Sequence, residues 1–152
     1  MPPDLWNFAL QLYARPGVEA ACLALQEEGA DVCLLLAARW LEARGVTCTP
    51  ERCDALRNLA EPWQRDVVMP LRRLRQDWRD GAQQDGERAA LRQRLKDLEL
   101  DAERALLARL EQAAAHWPAS QDEQGCWLEA LAGDAGKACD ALDRLRAAGR
   151  MP

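Results

Sequence analysis

The run Asp31-Val32-Cys33-Leu34-Leu35-Leu36-Ala37-Ala38-Arg39-Trp40-Leu41 constrains this chain more than any other stretch. Asp31 is an N-cap residue type, and Gly45 offers a residue that tolerates the left-handed backbone past a helix end. Between them the apolar side chains do not keep to one stripe. Val32, Leu35, Leu36 and Trp40 share a face, and Cys33, Leu34, Ala37 and Leu41 cover much of the rest. A helix apolar nearly all round is either enclosed by protein or crosses a membrane. Arg39 interrupts the run well short of the roughly 20 apolar residues a bilayer requires. The stretch therefore predicts a buried central helix over 31–44, wrapped on every side by its own chain and leaving no reactive cleft beside it.

The rest of the chain supplies the wrapping. Its 152 residues suit one domain, expected over 3–149. Leu and Ala dominate and there is no Ile, so the fold class is all-α, a bundle of about six or seven helices. Asp4 caps a first helix over 4–14 with Leu5, Phe8, Ala9 and Leu12 inward, and Trp6 and Tyr13 at its edges. Arg15-Pro16-Gly17 breaks the chain. A second helix over 17–28 carries Val18, Ala21, Cys22 and Leu25, and ends at Gly29. Thr49-Pro50 starts a short helix to about Ala60 with Ala55, Leu56 and Leu59 inward. Pro62 opens a segment striped by Trp63, Val67, Leu71, Leu74 and Trp78, in which Pro70 predicts a kink or break. Residues 80–86, polar with two glycines, read as a flexible connection. A long helix over 87–116 presents Leu91, Leu95, Leu98, Ala102, Ala105, Leu106 and Leu110. Trp117-Pro118 ends it. A short helix follows around Cys126, Trp127, Ala130 and Leu131, stopped by Gly133. Asp134 then caps a last one, aligning Ala135, Ala138, Cys139, Leu142 and Leu145 and ending at Gly149. No repeat or second domain is visible.

Few chemistries are supported. Met1-Pro2-Pro3-Asp4 has neither the basic nor the apolar region of a secretory leader, which points to a cytoplasmic protein with its six cysteines as thiols. Nucleophilic catalysis assisted by histidine has only His116 available, at the end of the long helix, where the helix dipole accounts for it. Cys48 and Cys53 form a C-x4-C spacing without the second pair a zinc site requires; a reversible disulfide is the other chemistry the spacing allows. Asp97 and Asp101 share a helical face, with Glu99 and Glu103 on another, as in the Mg-binding helices of all-helical prenyl-transferring enzymes. The facing aspartate-rich helix is missing, Asp140 and Asp143 lack its pattern, and arginines interleave with the cluster, as on a solvated face. Catalytic, cofactor-binding and metal residues are therefore assigned to none.

The most tangible surface is basic. Arg65, Arg72 and Arg79 recur every seven residues beside the Trp63–Trp78 stripe, and Arg73 and Arg75 extend the row. Such a row docks phosphates or an acidic partner, or it is a helix flank paired with neighbouring acids. The net charge of −5 argues against a protein that coats nucleic acid non-specifically. Trp6 and Trp127, off the main stripes, are expected to be partly exposed at an interface. The leading expectation is a non-enzymatic interaction or adaptor protein presenting the Arg/Trp-bearing helix to a protein partner. The alternative is an RNA- or ribosome-associated factor using the five arginines. A third is a Mg-dependent enzyme acting on a prenyl or phosphorylated lipid, in a deep pocket lined by Asp97 and Asp101.

Leu5-Trp6-Asn7-Phe8-Ala9-Leu10, then Tyr13, Arg15-Pro16-Gly17-Val18, Ala21 to Gln26, Gly29 and Asp31 to Leu36 with Trp40, resembles an uncharacterised proteobacterial family of small all-helical proteins, known as a domain of unknown function. Val67-Val68-Met69-Pro70-Leu71-Arg72 and Lys96 to Glu103 resemble its second and third blocks. Members often carry Asn where this chain has Cys33. The resemblance implies a bacterial cytoplasmic origin and says nothing about activity.

Overall fold

A chain rich in Leu and Ala folds into helices linked by short turns. The computed structural model describes residues 4–120, 127–133 and 139–148. Over them run α1 (Leu5–Tyr13), α2 (Val18–Glu27), α3 (Val32–Arg44), α4 (Pro50–Trp63), a π turn (Gln64–Val68), α5 (Met69–Asp77), α6 (Arg79–Gln84), α7 (Gly86–Ala114), α8 (Trp127–Ala132) and α9 (Cys139–Ala148). No strand occurs among the described residues; Val46 and Ala119 form an isolated antiparallel bridge. None of the described helices is long and apolar enough to cross a membrane. Cys126, Asp134, Ala135, Ala138 and Gly149, and the side chain of Cys139, lie outside the described residues.

Helix starts follow the capping residues. Side-chain oxygens of Asp4, Asp31, Thr49 and Asp85 accept from the backbone N–H of Asn7 (2.8 Å), Leu34 (3.2 Å), Arg52 (3.2 Å) and Glu87 (3.0 Å). Gly29 (φ 95°) and Gly45 (φ 71°) take the left-handed conformation that closes α2 and α3. Every residue of α3 from Cys33 to Leu41 is buried, against α1, α2, α4, α7 and α8. Arg39 is among them, with Nη1 3.7 Å from Glu42 Oε1. Glu42 also accepts from the Leu128 N–H (3.1 Å) and from Arg146 (3.0 Å), so an acid at the rim of the core ties α3 to α8 and α9.

Several local expectations are revised. Pro62 does not start a helix but lies inside α4, which runs on through the π turn into α5. The irregularity expected at Pro70 falls just before it. The turn widens over 64–68, with the Met69 N–H donating to Gln64 O, so the hydrogen-bond ladder has already left its α register where Pro70, next in the chain, has no N–H to give. Residues 79–84 are helical, so the connection into α7 shrinks to Asp85; with the π turn dividing α4 from α5, this gives more segments than six or seven. The inward face of α4 is Cys53, Leu56 and Ala60, leaving Ala55 and Leu59 exposed. On α7 the buried line is Leu95, Glu99, Ala102, Leu106, Leu107, Leu110 and Ala114, while Leu91 and Leu98 face outward. That line is rotated toward α5, whose arginines require Glu99. Trp127 is 0% exposed; it stacks on Trp117 (centroids 5.9 Å apart), and its Nε1–H donates to Val46 O at 2.8 Å.

Candidate functional site

Leu34, Leu35 and Leu36 are buried, yet the interior is not filled on every side. A cleft of about 800 Å3 opens beside the start of α3 and reaches Cys33, which corrects the expectation that no cleft exists. It lies where α1, the α2–α3 turn, α4, the π turn, α5 and α7 meet. Trp6, Ala9, Leu10 and Tyr13 come from α1, Gln64 and Arg65 from the π turn, Met69 and Arg72 from α5, and Leu100, Glu103 and Leu107 from α7. Across the cleft, Gln26 near the end of α2 faces Arg72 of α5, a polar pair between the two helices.

Arg72 and Glu103, which line the cleft, belong to a charge cluster between α5 and α7. Arg72 Nε donates to Glu99 Oε2 (3.1 Å) and Arg72 Nη2 to Glu103 Oε1 (3.2 Å), while Arg75 Nε donates to Glu99 Oε1 (2.5 Å). With its amide oxygen turned toward Arg72, Gln26 accepts from Nη1 at 3.0 Å. Burial alone would raise the Glu99 carboxyl, but Arg75 and Arg72 hold it below its ordinary range. Burial wins at Glu103, whose carboxyl is raised although Arg72 opposes it. Two arginines and two glutamates thus cancel across the α5–α7 seam.

Asp31 stands apart from that cancellation. Its Oδ1 accepts from the Leu34 N–H and from Gln64 Nε2 (2.9 Å), yet burial raises its carboxyl to about 6. Burial likewise pushes the Cys33 thiol well up; its Sγ lies 4.0 Å from Glu103 O. Cys22, near the Tyr13 hydroxyl, is raised to about 11 by burial.

The five arginines divide. Arg72 and Arg75 turn into the α5–α7 seam, Arg65 is exposed and pairs with its neighbour Asp66 (2.9 Å), and Arg73 and Arg79 are exposed. Trp63 also turns inward, its Nε1–H donating to Ala102 O (2.9 Å) beneath Arg109 (3.8 Å to the ring centroid). Trp6 is half-buried under Arg104 (4.7 Å), whereas Trp127 is core, against the exposure expected of it. Asp97 and Asp101 are exposed beside a shallow depression bordered by Trp78, Leu91 and Leu98, away from the cleft. His116 is exposed past the end of α7. Among the described residues no group of three His, Cys, Asp or Glu side chains is placed to hold a metal ion.

The sequence marked Asp31 only as a cap and placed Glu99 and Glu103 only on a solvated charged face, and it gave Gln26 and Gln64 no role in a site. A usable signal was present: basic residues at i,i+3 (Arg72, Arg75) and acidic ones at i,i+4 (Glu99, Glu103) on two neighbouring helices. The sequence profile of a family described as "Protein of unknown function (DUF2390)" matches residues 4–110, which include all of the cleft except its edge at α8. No curated protein and no solved structure matches the chain.

Proposed function

The chain belongs to that family of unknown function, and we propose that it is a non-enzymatic interaction protein whose cleft receives an apolar segment of a protein partner carrying one basic residue. The observation that carries this reading is the cleft itself, with an apolar rim in which Leu10 (50% exposed), Met69 (45%) and Leu100 (51%) stand open to solvent. Large side chains left outside a core around a concave space mark recognition surfaces. The charge pattern supports a basic contact. Each arginine lining the cleft is already engaged: Arg57 with Asp54 (3.6 Å), Arg65 with Asp66, and Arg72 with Glu99 and Glu103. Asp31 and Glu61 line it without an ion pair to an arginine among the described residues.

This reading moves the contact surface from the arginine row to the cleft. The RNA-associated alternative keeps only Arg65, Arg73 and Arg79 at the surface, and the lipid-enzyme alternative keeps its aspartates outside the cleft. A photo-crosslinking residue at position 100, compared with one at the equally exposed Leu23 outside the cleft, tests the proposal. The expected result is a discrete protein adduct from position 100 alone, lost when Ala30→Trp fills the cleft. Equal adducts from both positions overturn it, and an adduct removed by ribonuclease supports the RNA reading instead.

A further inference from the structure

Away from the cleft, the loop after α3 brings two thiols together. Cys48 lies in the loop, and Cys53 is in the first turn of α4, which Thr49 caps and Pro50 opens. Their sulfurs are 3.6 Å apart. A disulfide requires about 2.05 Å, so the sulfurs need to close by about 1.5 Å, on side chains carried by the backbone of residues 45–53. That backbone is held from several sides. The Cys53 N–H donates to Thr49 O (3.0 Å), Arg52 Nη1 to Thr47 O (2.8 Å), Trp127 Nε1 to Val46 O, and the Ser120 N–H to Gly45 O (2.7 Å). Exposure separates the pair: Cys48 is half-buried and Cys53 is buried. Cys22 and Cys33, by contrast, are buried, with thiols raised by burial.

We infer that Cys48 and Cys53 are a modification site, a dithiol that closes to a disulfide by exchange with a low-molecular-weight disulfide such as oxidised glutathione. The Cys48 thiolate, the one solvent reaches, attacks one glutathione sulfur. The glutathione S–S bond breaks, a Cys48–glutathione bond forms, and one glutathione leaves as thiolate and takes a proton. The Cys53 thiolate then attacks the Cys48 sulfur and expels the second glutathione. The two protein thiols lose two electrons and two protons in total, and the glutathione disulfide gains them. Excess reduced glutathione drives both steps backwards, so the bond is reversible.

Trypsin gives the test a direct readout. Cleavage after Arg44, Arg52 and Arg57 places Cys48 in peptide 45–52 and Cys53 in peptide 53–57, and only a disulfide holds them together. The folded full-length chain is incubated with oxidised glutathione, blocked with an alkylating reagent and digested without reductant. The expected product is the linked pair, two hydrogens lighter than the separate peptides, dissolved by reduction. Cys53→Ser should stop at Cys48 carrying one glutathione, and Cys48→Ser should leave Cys53 unmodified. The inference is overturned if the peptides stay separate in the folded chain, if they link only in denaturant, or if Cys53→Ser leaves Cys48 without glutathione while circular dichroism shows the variant folded.

Discussion

Asp31→Asn should stabilise this protein near neutral pH and lose that advantage in acid. The folded chain holds the Asp31 carboxyl at about 6, whereas an unfolded chain returns it to its ordinary 3.8. A carboxyl raised on folding binds its proton more tightly in the native state. Stability from this group is therefore full below the unfolded value, falls as pH rises between about 4 and 6, and stays lowered above that window. The difference of about two pKa units corresponds to roughly 3 kcal/mol at pH 7.5, taken as a ceiling. Asn removes the charge, is as good an N-cap as Asp, and keeps an oxygen for the Leu34 N–H and Gln64 Nε2 bonds. In a chain of this size about 3 kcal/mol is roughly 6–12 °C in Tm. Calorimetry of both proteins at pH 7.5 and pH 4.5 checks it: a gain of several degrees is expected at the higher pH and about a third of that gain at the lower. An Asn variant less stable than the parent at pH 7.5, or a difference independent of pH, would refute the account of Asp31 as a charge held against burial.

Leu35→Asp places an unpaired charge at a fully buried position of α3 and should cost several kcal/mol, read as loss of the cooperative urea transition. Trp127→Ala should cost about 3–5 kcal/mol, because it empties a fully buried indole site and orphans Val46 O. Trp6→Ala should cost much less, about 1 kcal/mol, since half-burial and the Arg104 contact are what it loses. Near-equal values for the two tryptophans in denaturant titrations would contradict the difference in their surroundings.

What was legible in the sequence was whatever one local rule decides. A helix apolar all round, such as α3, has only the interior to occupy, and Asp4, Asp31 and Thr49 cap because their side chains reach the orphan N–H groups of their own first turns. The misreadings share a different origin. On α7 the apolar residues Leu91, Leu95, Leu98 and Ala102 make an acceptable stripe, and so does the line Leu95, Glu99, Ala102, Leu106 if a glutamate is allowed in it. The second is correct because α5 offers two arginines, which is tertiary information that periodicity does not hold. Trp127 looked peripheral for the same reason: its partners, Val46 and Trp117, are distant in sequence. The cleft is less legible still. It is the space left where several segments fail to touch, and no single segment records that.

The α5–α7 charge seam separates stability from specificity in a way that can be measured. Glu99 is buried against two arginines that are themselves mostly enclosed, so Glu99→Ala leaves two positive charges poorly compensated. Breaking one side of such a network costs about 3–5 kcal/mol when fully buried, and partial solvation of Arg72 and Arg75 lowers the expectation to about 2–3 kcal/mol. Replacing these three charges by apolar residues of similar size, as in Arg72→Met, Arg75→Leu and Glu99→Met together, in a Glu103→Gln background that removes the fourth charge, takes away the desolvation penalty along with the attraction and should leave urea stability within about 1 kcal/mol of the Glu103→Gln parent. The triple variant would still lose the hydrogen bonds from Arg72 to Glu103 and Gln26 that hold the polar floor open. Its cleft should collapse or bind apolar probes indiscriminately, as a dye-binding titration would show. If the triple variant is as unstable as Glu99→Ala alone, the network contributes to stability in its own right, and the account of the seam as a spacer that keeps the cleft open is wrong.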